Sequence, residues 1–213
     1  APPPPTVNQN AEFFSLYLFT GLVVWMLFTT CINGSMTWLQ GVSDLRKKIY
    51  FPSETSILGG AISAYVQTLI EVFILLLLMF FLNNIGWTFL LFPILLLGVA
   101  SFGIGIGFFI SILNQKYRDV SYLVGIILQL TFFLVPIVYT INLIPEEAYG
   151  LPIKSMIRLN PMTQFILAGE DLVYYLKLPS LESLLLLIIY SIFPFVGGLF
   201  YFRRRSMSIS EVA

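Results

Sequence analysis

Glu71 is the residue of this chain best placed to do chemistry, because it is an acid near the middle of an apolar run, Ile57–Leu82. A carboxylate at the centre of a bilayer-spanning helix costs about 2.5–3.5 kcal/mol on insertion scales, so it must face protein or a wet cavity. Ser63, Gln67 and Glu71 recur every four residues and share a helix face with Gly60. That stripe fits a polar pathway lining, a hydrogen-bond partner for another helix, or a protonated acid satisfied by its neighbours. No second intramembrane acid pairs with it. The chain has no His and a single Cys, Cys31, which excludes a disulfide within one chain and most zinc, haem and His-based catalysis. No G-x-x-x-x-G-K-[ST] phosphate loop occurs, so the chain itself binds no ATP in the P-loop manner. Nothing in these residues supports an enzyme, and no cofactor or metal is expected on this chain.

A second set of residues is suited to recognition rather than catalysis. Phe14, Tyr17, Gly21, Trp25 and Phe28 fall within about 80° of one another at 100° per helical residue. Such an aromatic face suits stacking on the C–H faces of sugar rings, and equally suits helix packing or an interfacial belt. Thr30, Asn33, Gly34 and Thr37 follow as a small polar stripe. Further on, Tyr122, Gln129, Phe133 and Thr140 share one face. Gly103 and Gly107, four apart in an apolar span, point to close helix packing rather than to nucleotide binding.

Membrane-spanning helices must position these groups. The 213 residues are 58% hydrophobic and 10% charged, against about a quarter charged in soluble domains. The fold class is therefore an all-α integral membrane protein. Five runs are long enough for the roughly 20 residues that cross the hydrocarbon core: about 13–39, 57–82, 87–113, 120–141 and 181–202. Residues 1–12, APPPPTVNQNAE, lack an initiator Met and a signal-peptide pattern. They are expected to be an external, Pro-rich start of a chain that begins inside a longer one, or else a processed or engineered terminus. Residues 13–213 form one transmembrane domain. Arg46, Lys47, Lys48, Lys116, Arg118, Arg203, Arg204 and Arg205 fall on one side of the spans and hold eight of the eleven basic residues. Basic residues are retained in the cytoplasm, so the C-terminus is expected inside and the N-terminus outside. A net charge of zero excludes strong bulk attraction to nucleic acid.

The connections carry the rest. Residues 42–56, VSDLRKKIYFPSETS, place Arg46, Lys47 and Lys48 before an aromatic tip, Tyr50 and Phe51. Pro52 then opens the next helix, with Ser53 as its cap. This is a cytoplasmic knob able to dock into a groove on another protein, or a basic anchor on lipid headgroups. Asp119 suits the unpaired N–H groups at the start of the fourth span. That span contains Pro136 and Tyr139 and runs out towards Pro145. The segment 145–178 is too polar to span and too apolar to be a free loop. It reads as two short helices, Glu146–Arg158 and Pro161–Leu176, the second capped by Asn160. Such broken pieces are tolerated at a membrane only where protein or water satisfies the backbone. They would make a gate, or an interfacial hairpin without a mechanical role.

Five segments, in order, resemble the permease subunit of type-2 ABC exporters of bacterial surface polysaccharides (O-antigen, capsule, teichoic acid and galactan). They are Gly21-Leu22 with Trp25; Leu45-Arg46-Lys47-Lys48 with Phe51-Pro52; Tyr117-Arg118-Asp119-Val120; Pro136-Ile137-Val138-Tyr139 with Pro145; and Asn160-Pro161-Met162. The resemblance covers nearly the whole chain. It implies six spans in the family, the first apparently missing here, and two short external gate helices. It also implies a homodimer with a second permease copy, bound to two separate ATP-binding cassette subunits that hold ATP and Mg and hydrolyse the ATP. The substrate implied is a lipid-linked polysaccharide, and the location is the bacterial cytoplasmic (inner) membrane, among its lipids. The ATPase-coupling residues implied are Arg46, Lys47, Lys48, Tyr50, Phe51, Pro52, Arg118 and Asp119. The external gate would hold Pro136, Tyr139, Pro145, Asn160 and Pro161. Candidates for the substrate pathway are Tyr17, Trp25, Phe28, Gln67, Glu71, Gln129 and Phe133. One departure stands out: the family often has Arg ten residues after the Asn of the Asn-Pro pair, where this chain has Glu170. A type-2 exporter of a smaller drug or lipid substrate, and an ATP-independent protein of glycan assembly, are the alternatives.

Overall fold

The computed structural model describes residues 13–43, 52–117, 119–146 and 152–209. These form seven α-helices, with no strand among the described residues. They are α1 (Phe14–Gly41), α2 (Ser53–Phe81), α3 (Phe92–Lys116), α4 (Val120–Leu134), α5 (Ile153–Leu159), α6 (Pro161–Val173) and α7 (Leu181–Ile209). A 3-10 turn, Trp87–Leu91, leads into α3. Four stretches are long and apolar enough to cross a membrane: α1, α2, Trp87–Lys116 and Leu181–Arg205.

The fourth expected span is shorter than its apolar run. α4 has 15 residues and stops at Leu134, giving about 22 Å of helix against a hydrocarbon core of about 30 Å. The cause is Pro136, which lacks an N–H and pushes the preceding residue out of the helical region. Val135 accordingly sits at φ −92°, ψ 145°. The Tyr139 hydroxyl then donates to the Leu134 carbonyl at 2.9 Å, satisfying an acceptor that the broken helix leaves open.

α1 is central, packing on α2, α3 and α6, while α3 packs on α7. Lipid tails are as apolar as the side chains, so helices associate in a membrane by close contact rather than by the hydrophobic effect. Small residues on both faces of α3 permit that contact. A Cβ on Gly103 would lie 2.8 Å from Cys31 Cβ and 3.1 Å from the Phe28 carbonyl, and one on Gly107 would collide with Ser35. On the opposite face, a Cβ on Gly105 would collide with the backbone at Pro194–Phe195, and one on Gly198 with Gly105. The Ser35 hydroxyl donates within its own helix to the Cys31 carbonyl, 2.6 Å away, and so adds no unmet polar group to the crossing. Outward faces of α2 and α7 are apolar and exposed, as at Ile62, Ile70, Ile188 and Ile192.

One end of the bundle collects the α1–α2 and α3–α4 connections and the end of α7. Ser56 donates to the Trp38 carbonyl at 2.7 Å, and Arg203 Nε meets Glu54 Oε1 at 3.1 Å. Two expected caps differ from the structure. Ser53 is the first residue of α2, Pro52 holds the cap position, and no side chain makes the cap bond. Asp119 occupies the cap position of α4 without a cap bond. Asn114, from the last turn of α3, takes that role by accepting from the Ser121 N–H at 3.1 Å. A tertiary neighbour has replaced the local acid.

Candidate functional site

The opposite end of the bundle holds the α5–α6 hairpin. The expected pair Glu146–Arg158 and Pro161–Leu176 is found as Ile153–Leu159 and Pro161–Val173; residues 147–151 lie outside the described ones. Asn160 caps α6 as its sequence predicts, its side-chain oxygen accepting from the Met162 N–H at 3.0 Å, with Pro161 in the first turn. Gln164 Nε2 donates to the Arg158 carbonyl at 2.6 Å, tying the end of α5 to α6. With 13 residues, α6 is too short to span.

The C-terminal end of α6 is clipped by the α2–α3 connection. Thr88 donates to the Leu172 carbonyl at 2.7 Å and Asn84 Nδ2 to the Tyr174 carbonyl at 3.3 Å. The chain then reverses through Leu176, at φ 52°, a left-handed conformation that costs a non-glycine residue about 1–3 kcal/mol. The turn lets the Lys177 N–H reach the Asp171 carbonyl at 2.8 Å and brings Lys177 Nζ to 3.1 Å from Asp171 Oδ1.

A cavity of about 400 Å³ lies between α6, the α6–α7 connection and the turn at Thr140–Ile141. Glu170, 2% exposed, lines it, and its Oε1 has no hydrogen-bond partner. Burial pushes the Glu170 carboxyl well above the usual carboxylate range; the nearby Tyr17 hydroxyl pulls it back and Asp171 adds to the rise. Tyr17 on α1 and Glu170 on α6 are thus coupled buried polar groups, their contact falling short of ideal hydrogen-bond geometry. Burial also raises Asp171, opposed by Lys177. Burial, with the two carboxyls adding, pushes Tyr175 up to about 12. A buried acid, an ion pair, Gln164 and Tyr175 together line the cavity with hydrogen-bonding groups.

A second space, a cleft of about 330 Å³ between α1 and α4, brings together Trp25, Gln129 and Phe133 with Asn33 and Phe132. Trp25 is only 5% exposed, its ring 5.7 Å from both Phe28 and Phe132. Phe28 stacks on Phe102 at 5.3 Å, and Phe102 on Phe165 of α6 at 5.8 Å. The aromatic face of α1 is thus largely spent on packing, and Phe133, 67% exposed, is the open ring of the cleft.

Other candidates lie apart. Tyr17 is fully buried against Tyr174, with ring centroids 5.6 Å apart. On α2, Gln67 is exposed and Glu71 half-buried, and neither lines the cleft or the cavity. Pro136 and Tyr139 form the break after α4, and Pro145 is exposed beyond it. Arg46, Lys47, Lys48, Tyr50, Phe51 and Arg118 lie outside the described residues; Pro52 and Asp119 sit at the end held by Glu54 and Arg203. Sequence reasoning did not single out Gln164, Asp171 or Tyr175, and met Glu170 only as a departure from a motif. The signal was there, in four charged residues (Arg158, Glu170, Asp171 and Lys177) spread along a largely apolar stretch.

Residues 4–169 match the family described as ABC-2 type transporter. The chain is also similar to the O-antigen export system permease protein RfbA of Myxococcus xanthus, 26% identical over 208 residues. That alignment covers 96% of this chain and 78% of the relative. A protein of the same description from Klebsiella pneumoniae is 24% identical over 202 residues, covering 93% and 75%.

Proposed function

The chain belongs to the ABC-2 type transporter family, and on that premise we propose that it is the permease subunit of an ATP-driven exporter of a lipid-linked bacterial surface polysaccharide. The observation that carries this reading is a similarity to O-antigen export permeases extending over 96% of the chain. It is a multi-pass membrane protein. In the proposed assembly two copies pair in the bacterial cytoplasmic membrane, with the C-terminus inside. Two ATP-binding cassette subunits, carrying ATP and Mg, dock at the end that holds Glu54, Asp119 and Arg203.

The geometry supports a division of labour along α4. At one end, the turn containing Arg118 and Asp119, with the knob of Arg46, Lys47, Lys48, Tyr50, Phe51 and Pro52, receives the ATPase stroke. At the other, the Pro136 break joins α4 to the α5–α6 hairpin, which acts as the external gate with Tyr139, Pro145, Asn160 and Pro161. Between them the cleft with Trp25, Gln129 and Phe133 borders the pathway. α4 buries only Val124 and Leu128 among its residues, leaving Ile127, Leu130 and Phe133 exposed for a second copy, substrate or lipid. Gln67 and Glu71, exposed and half-buried on α2, find their polar partners in the assembly, since a lipid-facing carboxylate is costly.

Deleting the gene tests the reading. Loss of a cell-surface glycan, with its lipid-linked precursor retained inside, is expected, and restoration should need both the permease and an ATPase gene. An intact surface glycan together with lost efflux of a small lipid or drug would overturn it in favour of a smaller-substrate exporter. Tyr50→Ala and Phe51→Ala should bind the ATPase yet uncouple hydrolysis from export; unchanged export in both removes the coupling assignment.

A further inference from the structure

We propose that Tyr17 and Glu170 are a positioning pair, the Tyr17 hydroxyl donating to the Glu170 carboxyl to fix α6 in its place on α1. Tyr17 is fully buried and Glu170 is 2% exposed. Neither the Tyr17 hydroxyl nor Glu170 Oε1 has another hydrogen-bond partner among the described residues, and the two groups act on each other. Leaving a buried donor and a buried acceptor unsatisfied is costly, and closing this contact settles both at once. A hydroxyl donates to a carboxyl oxygen whether or not that acid is protonated. Asp171 does not compete for the hydroxyl, because Lys177 holds it at 3.1 Å.

The packing around the pair brings the two groups to the same level of the bundle. One turn beyond Glu170, the Tyr174 ring meets the Tyr17 ring edge-on at 5.6 Å, and the Tyr174 N–H donates to the Glu170 carbonyl at 2.9 Å. One turn further along α1, a Cβ on Gly21 would lie 3.7 Å from Ile166 Cγ2 of α6 and 3.4 Å from Ile137 Cγ2. Ile137 follows the Pro136 break, so this part of α1 seats both the end of the broken helix and the hairpin. Contacts between apolar side chains are non-directional, whereas a hydrogen bond is directional. The Tyr17–Glu170 contact therefore selects one placement of α6 on a seat that is otherwise apolar. Tyr17 lines neither the cavity nor the cleft, so its part is positioning rather than substrate contact. The pair deepens the exporter reading and rests on it only for its effect on export, through the placement of the external gate.

Hydrogen–deuterium exchange of the α6 amides, read by mass spectrometry on the full chain in lipid nanodiscs, tests the pairing apart from transport. Tyr17→Phe and Glu170→Leu each leave one buried polar atom alone. Each should speed exchange across 161–173 at least about fivefold, the low end of what losing a buried hydrogen-bond partner costs. Glu170→Gln keeps an acceptor and should exchange near the wild-type rate. The double variant Tyr17→Phe with Glu170→Leu removes both polar groups and should exchange more slowly than either single variant, because replacing both partners by apolar groups is nearly neutral. Unchanged exchange in Tyr17→Phe, which deletes a single oxygen and guards against a folding defect in Glu170→Leu, overturns the pairing. So does Glu170→Gln exchanging as fast as Glu170→Leu, or a double variant faster than both singles. In cells, surface glycan should fall in the two single variants and recover in the double one; glycan unaffected by a measured loosening of α6 overturns the positioning role. A deletion strain that loses no glycan removes the exporter reading, and the exchange rates then decide the pairing by themselves.

Discussion

The crossing of α1, α3 and α7 and the hairpin of α5 and α6 solve opposite problems with the same kind of sequence. In the crossing, Gly103 and Gly107 admit Cys31 and Ser35 on one face while Gly105 admits Pro194 on the other. Hydroxyls there are satisfied inside their own helices, as at Ser35 and Thr20. The hairpin is held instead by polar bonds between distant segments, Thr88 to Leu172 and Asn84 to Tyr174. It keeps a cavity, a buried acid without a full partner and a left-handed turn at Leu176. A contact with no unmet group has one arrangement. The hairpin instead keeps unmet polar groups beside a proline break. The two regions therefore differ in how completely their polar groups are satisfied.

Four measurements can break or sharpen that contrast. Trp25→Ala should destabilise by about 3–5 kcal/mol, as large-to-small changes at packed aromatic positions do. Phe133→Ala, in the same cleft but exposed, should change stability by less than about 0.5 kcal/mol while lowering export. Denaturation in detergent reads the first pair of values, and equal stability losses would erase the distinction between packing ring and pathway ring. Next in size, Gly105→Val should cost about 1–3 kcal/mol by overpacking, visible as a lower melting temperature, whereas Gly125→Ala on open α4, with nothing near its Cβ direction, should not.

pH separates the regions further. The folded pKa of Glu170 is raised by burial, so between its unfolded value and that raised value the folded chain holds a proton that the unfolded chain has released. Stability therefore falls as pH rises through this window, is insensitive to this group below it, and settles at the lower level above it. Glu170→Gln should flatten that slope; a thermal-shift profile unchanged by the substitution would show that the acid is ionised in the fold. The smallest effect belongs to Glu54 and Arg203. Arg203 is mostly exposed, so a double-mutant cycle should return about 0.2–1 kcal/mol and less in high salt.

Much of the fold was legible because its signals are local. Span positions follow from runs of apolar residues, and the Asn160–Pro161 start of α6 follows from capping chemistry that needs no distant partner. Gly103 and Gly107 announced close packing without saying against what. Less legible was the end of α4, where Pro136 stops the helix within a run whose composition continues to Ile141. Capping of α2 and α4 differs for a related reason: Pro52, not Ser53, holds the first cap position, and Asp119 holds the second without a cap bond. Ser53 and Asp119 have the right chemistry nearby, but Asn114 reaches the second of these sites from another helix.

The candidate site divides in the same way. Trp25 and Phe28 share a face by periodicity alone, yet only packing against Phe132 and Phe102 decides that these rings are buried. Glu71, conspicuous in sequence, lies apart from both spaces, whereas Glu170, conspicuous only as a missing Arg, lines a cavity. By itself the sequence determined membrane insertion, the boundaries of most helices and the capping of α6, because hydropathy and backbone chemistry act over a few neighbouring residues. Only tertiary structure decided which aromatic rings face a space, which acid is buried without a partner, and which carbonyls of α6 are clipped by the α2–α3 connection. Those outcomes depend on residues far apart in the chain, Asn84 and Tyr174 being separated by 90 positions, and no local pattern encodes which of them meet.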